Sequence, residues 1–304
     1  MHSNRREFLK TTAGFLAFAT SGTAFDFKKE KLKLSFSTLG CPDWTFDKII
    51  SFAAENDYSG IEVRGIQREM DLTRCKEFGP ENLATTLRLM KDKGLKFVDL
   101  GSSAEMHHSD PAERQKQLDE ARRFIHLAEQ LRCPYVRVFP NKLAKEDRDK
   151  AIDVIVSCLK EVGNYANGTS VTVLMETHGE VVESAVLKRI MDSVNHPKVG
   201  LVWDVSNMWT VTKEPPAQVY SVLKKYIRHT HIKDATLLDK GPQYKLMGKG
   251  EVPIFEAIDI LYKDGYKGYY SFEWEKLWHP EIAAPEIALA DYPIAMQQHF
   301  AAKS

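Results

Sequence analysis

The chain has 304 residues, 43% of them apolar, and it carries 42 basic and 42 acidic side chains. The equal numbers argue against a nucleic-acid-binding protein, which usually has a basic excess. The length permits one large core, of the size that single α/β barrels reach. The four cysteines have neither a CxxC spacing nor the density of a disulfide framework, so we expect free thiols in the core or in loops.

Residues 1–27 resemble an export signal and a linker. Arg5 and Arg6 are followed by Phe-Leu-Lys, then by a mildly apolar stretch and by small residues up to Ala24. This order is typical of twin-arginine signals, and the apolar stretch is too short to span a bilayer. We expect cleavage near Ala24, a periplasmic protein without a stable membrane anchor, and a catalytic domain over residues 28–304. The alternative is a disordered basic tail.

From Lys31 onwards, short apolar runs alternate with longer stretches of helical period. Thr45 and the pair Asp110-Pro111 are favourable residues at which to begin helices, and Gly94 ends one. The first half therefore contains four strand-then-helix units. Their strands are predicted at residues 32–39, 60–65, 96–101 and 135–139, and their helices at about 45–56, 81–93, 110–131 and 145–165.

Four further units occupy the second half. Their helices are predicted at about 184–194, 216–226, 253–263 and 285–302, and a long loop at 235–252. Eight such units close a parallel barrel with right-handed crossovers, so the sequence predicts a single-domain (β/α)8 TIM barrel of the α/β class. An open doubly wound sheet is the alternative, but no GxGxxG follows the first strand.

The four strands of the second half end in side chains that are costly to bury without a partner. These side chains are Glu176, Asp204, His231 and Glu273. The carboxyl ends of barrel strands meet at one mouth, where barrel enzymes carry their chemistry. Three carboxylates and one imidazole suit a divalent metal such as Mn²⁺ or Zn²⁺. Each residue alone could be packed or ion-paired, but four at equivalent positions favour a metal site.

Alternation along each strand indicates which side chains face the lumen. In the last strand Glu273 and Glu275 share one face, and the aromatic residues between them share the face that suits the helix layer. The same rule places Glu62 with Arg64 on one face of the second strand. We therefore expect a polar lumen at the mouth of the barrel.

Several motifs resemble those of the xylose-isomerase-like superfamily of sugar isomerases and epimerases. The segments that carry the resemblance, in strand order along the mature chain, are Met175–His178, Val202–Asn207, His229–Asp234, Gly248–Val252 and Ser271–Glu273. The resemblance implies that Glu176, Asp204, His231 and Glu273 bind one divalent ion, with Mn²⁺ expected first and Zn²⁺, Co²⁺ or Mg²⁺ as alternatives. It also implies that Glu176 and Glu273 are catalytic and move the substrate proton.

The chain departs from some members of this superfamily. Many sugar epimerases have a histidine three residues after the metal-binding aspartate, where this chain has Asn207, so a ligand or substrate contact is altered. The apurinic endonucleases bind three zinc ions with added histidines on the second and third strands, where this chain offers Arg64-Gly65 and Gly101-Ser102. DNA repair is therefore not expected. His107 and His108 follow in a polar loop, where we expect a solvated role.

The chemistry that follows is proton transfer next to a carbonyl group. A divalent ion chelated by a carbonyl and its neighbouring hydroxyl stabilises the enediolate formed when the adjacent carbon loses its proton. We expect a metal-dependent sugar isomerase or epimerase. The alternatives are a lyase or dehydratase acting on a keto-sugar or keto-cyclitol, and a carbohydrate-binding barrel without turnover.

The expected partner is a small carbohydrate, which should be unphosphorylated if the protein is exported. The sequence is also compatible with a homo-oligomer. Nucleic acid is not expected as a partner. Lys233 and Arg137 are expected to hold substrate oxygens, and His178 to orient a hydroxyl. The full set of candidate substrate-binding residues is Glu62, Arg64, Arg137, His178, Asn207 and Lys233.

Replacing Arg5 and Arg6 together by Lys should leave the protein in the cytoplasm, because the arginine pair is the feature that the export machinery recognises. Cell fractionation followed by immunoblotting measures the distribution. Unchanged recovery of the double variant from the periplasm would show that the amino-terminal segment has another role.

Overall fold

The computed structural model describes residues 32–144 and 146–302, and eight of the strands in them form a closed parallel barrel. The predicted (β/α)8 TIM barrel is thereby confirmed, while the predicted export signal at residues 1–27 lies outside the described residues. The barrel strands, in their order around the barrel, are β1 (Leu34–Ser37), β2 (Gly60–Val63), β3 (Lys96–Glu105), β4 (Tyr135–Phe139), β5 (Thr172–Glu176), β6 (Val199–Asp204), β7 (Ile227–Ile232) and β10 (Tyr270–Phe272), which pairs with β1.

Helices cover the outside of the barrel between successive strands. Two of the predicted caps act as expected: Thr45 Oγ1 accepts a hydrogen bond from Lys48 N at 3.3 Å, and Asp110 Oδ1 accepts one from Glu113 N at 2.9 Å. In the described part of the chain, no helix has the length and apolar character needed to cross a bilayer. The helices are α1 (Phe46–Glu55), α2 (Leu83–Asp92), α3 (Pro111–Leu131), α4 (Arg148–Ala166), α5 (Ser184–Val194), α6 (Val205–Thr212), α7 (Pro216–Leu223), α8 (Ile254–Lys263) and α9 (Pro285–Ala301).

Two segments differ from the prediction. Strand β3 continues to Glu105, because its register with β4 shifts between Gly101 and Glu105 and pairing resumes there. The predicted loop at residues 235–252 contains an antiparallel hairpin, β8 (Asp234–Leu238) and β9 (Gly241–Lys245). Both differences lie on the loop side of the barrel, above the ends of the strands.

The layer between the barrel and α9 is aromatic. Phe272 stacks on Tyr292 of α9 with ring centroids 4.6 Å apart, and Trp274 stacks on Phe272 at 5.6 Å. The Tyr292 hydroxyl donates a hydrogen bond to the carbonyl oxygen of Tyr270 at 3.1 Å. Because these aromatic side chains face the helices, alternation turns Glu273 towards the lumen.

The Phe272→Ala variant should lower the free energy of unfolding by about 3–5 kcal/mol, because it leaves a cavity between the barrel and α9. Urea denaturation followed by far-UV circular dichroism measures the change. The control is Ile287→Ala on the outer side of α9, where the side chain is 56% exposed. The control should change stability by less than about 0.5 kcal/mol, and equal losses in the two variants would contradict the assignment of the core.

Candidate metal centre and active site

The four predicted metal ligands lie together at the carboxyl end of the barrel. Glu176 ends β5, Asp204 ends β6, His231 lies on β7 and Glu273 follows β10, so four neighbouring strands each supply one. One donor atom from each residue lies within 4.8 Å of the others. His231 Nδ1 is 3.4 Å from Glu176 Oε1, 3.3 Å from Glu273 Oε1 and 3.9 Å from Asp204 Oδ2.

These four side chains fit a divalent cation. They are between 0% and 4% exposed, and carboxylate oxygens with one imidazole form a set that such ions prefer. Glu176 Oε2, Asp204 Oδ2 and His231 Nδ1 are buried and make no hydrogen bond of good geometry among the described residues, although Arg137 and Lys233 form ion pairs with the two carboxylate oxygens. Buried polar atoms are rarely left in that state. A bound cation would satisfy all three.

Glu62 on β2 fixes the orientation of His231 from below. Glu62 Oε2 accepts hydrogen bonds from His231 Nε2, His229 Nε2 and Ser271 Oγ, each at 3.0 Å. An ionised carboxylate only accepts, so His231 Nε2 carries a proton, and its Nδ1 faces the other carboxylates. Partners of this kind orient metal-binding histidines in many proteins. Glu62 itself is completely buried beneath the ligand cluster.

Asp204 serves two structural purposes at once. Its Oδ1 accepts a hydrogen bond from Asn207 N at 2.8 Å and so caps α6, which begins at the next residue. Its Oδ2 remains on the side of the other metal ligands, 2.7 Å from Lys233 Nζ. The helix start therefore determines which carboxylate oxygen faces the cluster.

Lys233 is buried among carboxylates. Its Nζ contacts Asp204 Oδ2 at 2.7 Å and Glu275 Oε1 at 2.8 Å, and it also donates to Glu273 Oε2. Burial alone lowers the pKa of Lys233, but Asp204, Glu273 and Glu275 raise it well above its ordinary value. The lysine is thus a permanent cation that neutralises part of the ligand cluster.

Charge is strongly coupled within the cluster. Burial raises the pKa of Asp204 to about 7, opposed by Lys233 and assisted by the charges of Glu273 and Glu176. Burial lowers the pKa of His231, yet Glu273, Glu62 and Glu176 raise it well above its ordinary value. The centre of the cluster therefore attracts positive charge, which is the property that a cation site requires.

Two buried arginines lie side by side next to Glu176. Arg137 on β4 brings its Nε to 3.3 Å from Glu176 Oε2, and Arg64 follows β2. A Cβ at Gly101 would lie 2.7 Å from Arg137 Nη2 and 2.7 Å from Arg64 Cδ, so the glycine makes room for both side chains. Burial, together with the charge of Arg137, lowers the pKa of Arg64 to about 9.

His178 and Asn207 lie beside the cluster. Asn207 Nδ2 donates to Glu176 Oε1 at 3.4 Å, so the residue in place of the epimerase histidine contacts one of the predicted metal ligands. His178 Nδ1 lies 2.7 Å from Asn141 Oδ1, and its ring packs against Phe139 with centroids 4.6 Å apart. All the predicted site residues thus lie in or around the mouth, except that Glu62 lies beneath it.

Some residues of the site were not predicted from the sequence. His229 shares the face of His231 on β7, as alternation along the strand indicates, but no role was assigned to it from the sequence. Asp99 on β3 is completely buried, and neither of its carboxylate oxygens has a hydrogen-bond partner in the described ranges. Burial and the charge of Glu62 raise the pKa of Asp99 well above its ordinary value. Asn141 follows β4 in a loop, where no pattern distinguishes it.

The chain belongs to the xylose isomerase-like TIM-barrel family, because the model of that family matches residues 50–291. A comparison with curated proteins gives no match.

Three solved structures with the same fold match this chain over nearly their whole length. An IOLI protein with a bound zinc atom is 18% identical, with a TM-score of 0.72, covering 89% of this chain and 99% of that one. The probable 3-DHS dehydratase AsbF of Bacillus anthracis is 18% identical, with a TM-score of 0.69 and coverages of 88% and 99%. The D-allulose 3-epimerase of Methylomonas sp. is 16% identical, with a TM-score of 0.68 and coverages of 88% and 98%. At these identities the likeness establishes the fold.

Metal binding should weaken as the pH falls, because ligands must lose their protons to bind a cation. Asp204, with a pKa of about 7, is ionised above that pH and must release a proton below it. His231, whose pKa Glu273, Glu62 and Glu176 raise well above its ordinary value, must also release a proton from Nδ1 to bind an ion. We therefore expect more protons to be released per ion at pH 6 than at pH 8.

Isothermal titration calorimetry in buffers of different ionisation enthalpy counts these protons. An affinity for Mn²⁺ that is equal at pH 6 and pH 8, with no proton release, would be inconsistent with the ligand assignment.

Proposed function

We propose that this protein is a divalent-metal-dependent isomerase or epimerase of a small carbohydrate. The observation that carries the proposal is the placement of Glu176 and Glu273. They come from β5 and β10, three positions apart around the barrel, and flank His231 Nδ1 at 3.4 and 3.3 Å. Two carboxylates that approach one point from different sides are the arrangement that two-base proton transfer requires.

Glu176, Asp204, His231 and Glu273 would hold one ion, which we propose to be Mn²⁺, with Zn²⁺, Co²⁺ or Mg²⁺ as alternatives. Solved relatives are described with zinc and with magnesium. A bound divalent ion supplies a Lewis acid that polarises a carbonyl group. Glu176 and Glu273 then act as the acid and base that remove a proton beside this carbonyl and return it. Each positioned group contributes about 10²- to 10⁴-fold to the rate.

The remaining polar residues are proposed to bind and orient the substrate. Arg137 and Asn207 contact Glu176, and His178 lies on the same side of the cluster, so substrate oxygens bound there would lie next to the base. Lys233 is proposed to hold a substrate oxygen beside Asp204. For Glu62 we propose a positioning role through His231 instead of the substrate contact expected from the sequence, because Glu62 is completely buried.

A lyase acting on a carboxylated keto-cyclitol is the second candidate. The adjacent guanidinium groups of Arg64 and Arg137 favour it, because planar guanidinium groups bind carboxylates in a bidentate manner. The solved relative described as a probable 3-DHS dehydratase is consistent with this chemistry. Loss of a β-hydroxyl would then follow the same removal of a proton beside the carbonyl group.

We further propose that the protein acts outside the cytoplasm, where an unphosphorylated substrate is to be expected. The support is the arginine pair at residues 5 and 6 with the apolar stretch behind it.

The Glu273→Gln variant should retain metal but lose exchange of the substrate proton by about 10²- to 10⁴-fold, because the amide cannot accept the proton. The assay is incorporation of solvent deuterium, measured by NMR, over a panel of ketoses, 3-keto sugars and carboxylated cyclic ketones. The control is Glu281→Gln, an exposed residue in the loop after β10, which should exchange like the unaltered protein.

His231→Ala should lower the affinity for Mn²⁺ and the exchange rate together. Normal turnover by Glu273→Gln, or a purified protein that binds no divalent ion, would contradict the proposed mechanism. An unsaturated product from the cyclic acids, with no exchange into the ketoses, would establish the lyase instead.

A further inference from the structure

We propose a second metal site, formed by Glu105, His107 and His108 where β3 leads into α3. One donor atom from each of these residues lies within 4.8 Å of the other two. Their side chains are 33%, 11% and 25% exposed, so an ion could reach them from solvent. The site shares no residue with the four-ligand cluster, and it does not depend on the reaction proposed above.

The distances suit a metal centre. Glu105 Oε2 is 2.9 Å from His108 Nε2 and 3.6 Å from His107 Nε2, and the two imidazole rings lie 4.1 Å apart at their centroids. Ligands on a tetrahedral ion with bonds of about 2.0–2.2 Å are separated by roughly 3.3–3.6 Å. Small side-chain movements therefore suffice to bind an ion. One carboxylate with two imidazoles is a known zinc ligand set that leaves a coordination position open.

The carboxylate of Glu105 is already oriented for this purpose. Asn141 Nδ2 donates to Glu105 Oε1 at 2.6 Å, which leaves Oε2 for the two imidazoles. The backbone N–H of Glu105 donates to Gln117 Oε1 of α3 at 2.9 Å, so the end of β3 is held in place as well. Hydrogen bonds of this kind orient metal ligands and raise metal affinity.

His107 lacks a partner that a purely structural histidine would have. Its Nδ1 is buried and has no hydrogen-bond partner among residues 32–144 and 146–302. The position of His107 and His108 in a polar loop predicted a solvated role for both. In the structure β3 continues to Glu105, whose carboxylate lies beside both histidines.

An open coordination position at this site would face a cavity of about 740 Å³, which His107 and His108 line together with Lys142 and Glu180. Water or a small ligand with an oxygen donor could bind there. Asn141 also connects the site to the mouth of the barrel, because its Oδ1 lies 2.7 Å from His178 Nδ1. We expect this second site to bind Zn²⁺ or a similar divalent ion.

The test is metal stoichiometry of the full, untagged chain after equilibrium dialysis against Zn²⁺, measured by plasma mass spectrometry. The unaltered protein should bind two ions per chain, and His231→Ala should retain one. A Glu105→Gln, His108→Ala double variant should also retain one and bind the other at least about 100-fold more weakly. The matched control is His279→Ala, which removes a surface imidazole 3.3 Å from Glu281 and should leave both ions bound.

Asn141→Ala should lower the affinity of the second site for its ion by about 10- to 100-fold, although it removes none of the proposed ligands. The single variant His107→Ala, which alters only a loop side chain, repeats the test if the double variant shows an altered circular dichroism spectrum. Two ions in the double variant, or one ion in the unaltered protein and none in His231→Ala, would overturn the second site. One ion in the unaltered protein and one in His231→Ala would support the second site and contradict the proposed function.

Discussion

The hydrogen bond between Glu62 and His231 is the contact on which the mouth of the barrel depends. It joins β2 to β7 across the lumen, and the same carboxylate oxygen also holds His229 and Ser271, each at 3.0 Å. Because a buried carboxylate is stable only with such partners, the lumen here is a polar network in place of the usual packed aliphatic layers. This network presents one imidazole nitrogen to three carboxylates.

The other charged side chains of the site surround His231 Nδ1. Lys233 neutralises the outer side of Asp204 and Glu273, while Arg137 approaches Glu176 from the other side. Removing one member of such a buried ion pair is strongly destabilising, because the other member is left as an uncompensated buried charge. The positions of the ligands are therefore fixed by electrostatics as much as by packing. The cluster keeps a residual attraction for a cation, because its carboxylates raise the pKa of His231.

The alternation of strands and helices was sufficient to predict the barrel. The positions of charged residues at the ends of strands, together with the alternation of side chains between the two faces of a strand, predicted that four residues meet: Glu176, Asp204, His231 and Glu273. Parity gives the face of a residue but not its depth, which depends on strand tilt and stagger. Glu62 was for that reason assigned to the substrate although it lies beneath the ligands. The extension of β3 to Glu105 depends on pairing with β4, a contact between distant parts of the chain. Asn141 acts from an irregular loop with a positive φ of 44°, which no periodicity could indicate.

Asp204 links two processes that are usually treated separately. One of its oxygens caps the first turn of α6, and the other belongs to the ligand cluster. The positive end of the α6 dipole favours the ionised carboxylate, which is also the form that binds a cation. Fraying of this short helix would therefore release a ligand, and chelation would in return hold the helix together. Formation of α6 and binding of a cation at Asp204 are thus thermodynamically coupled, and each stabilises the other.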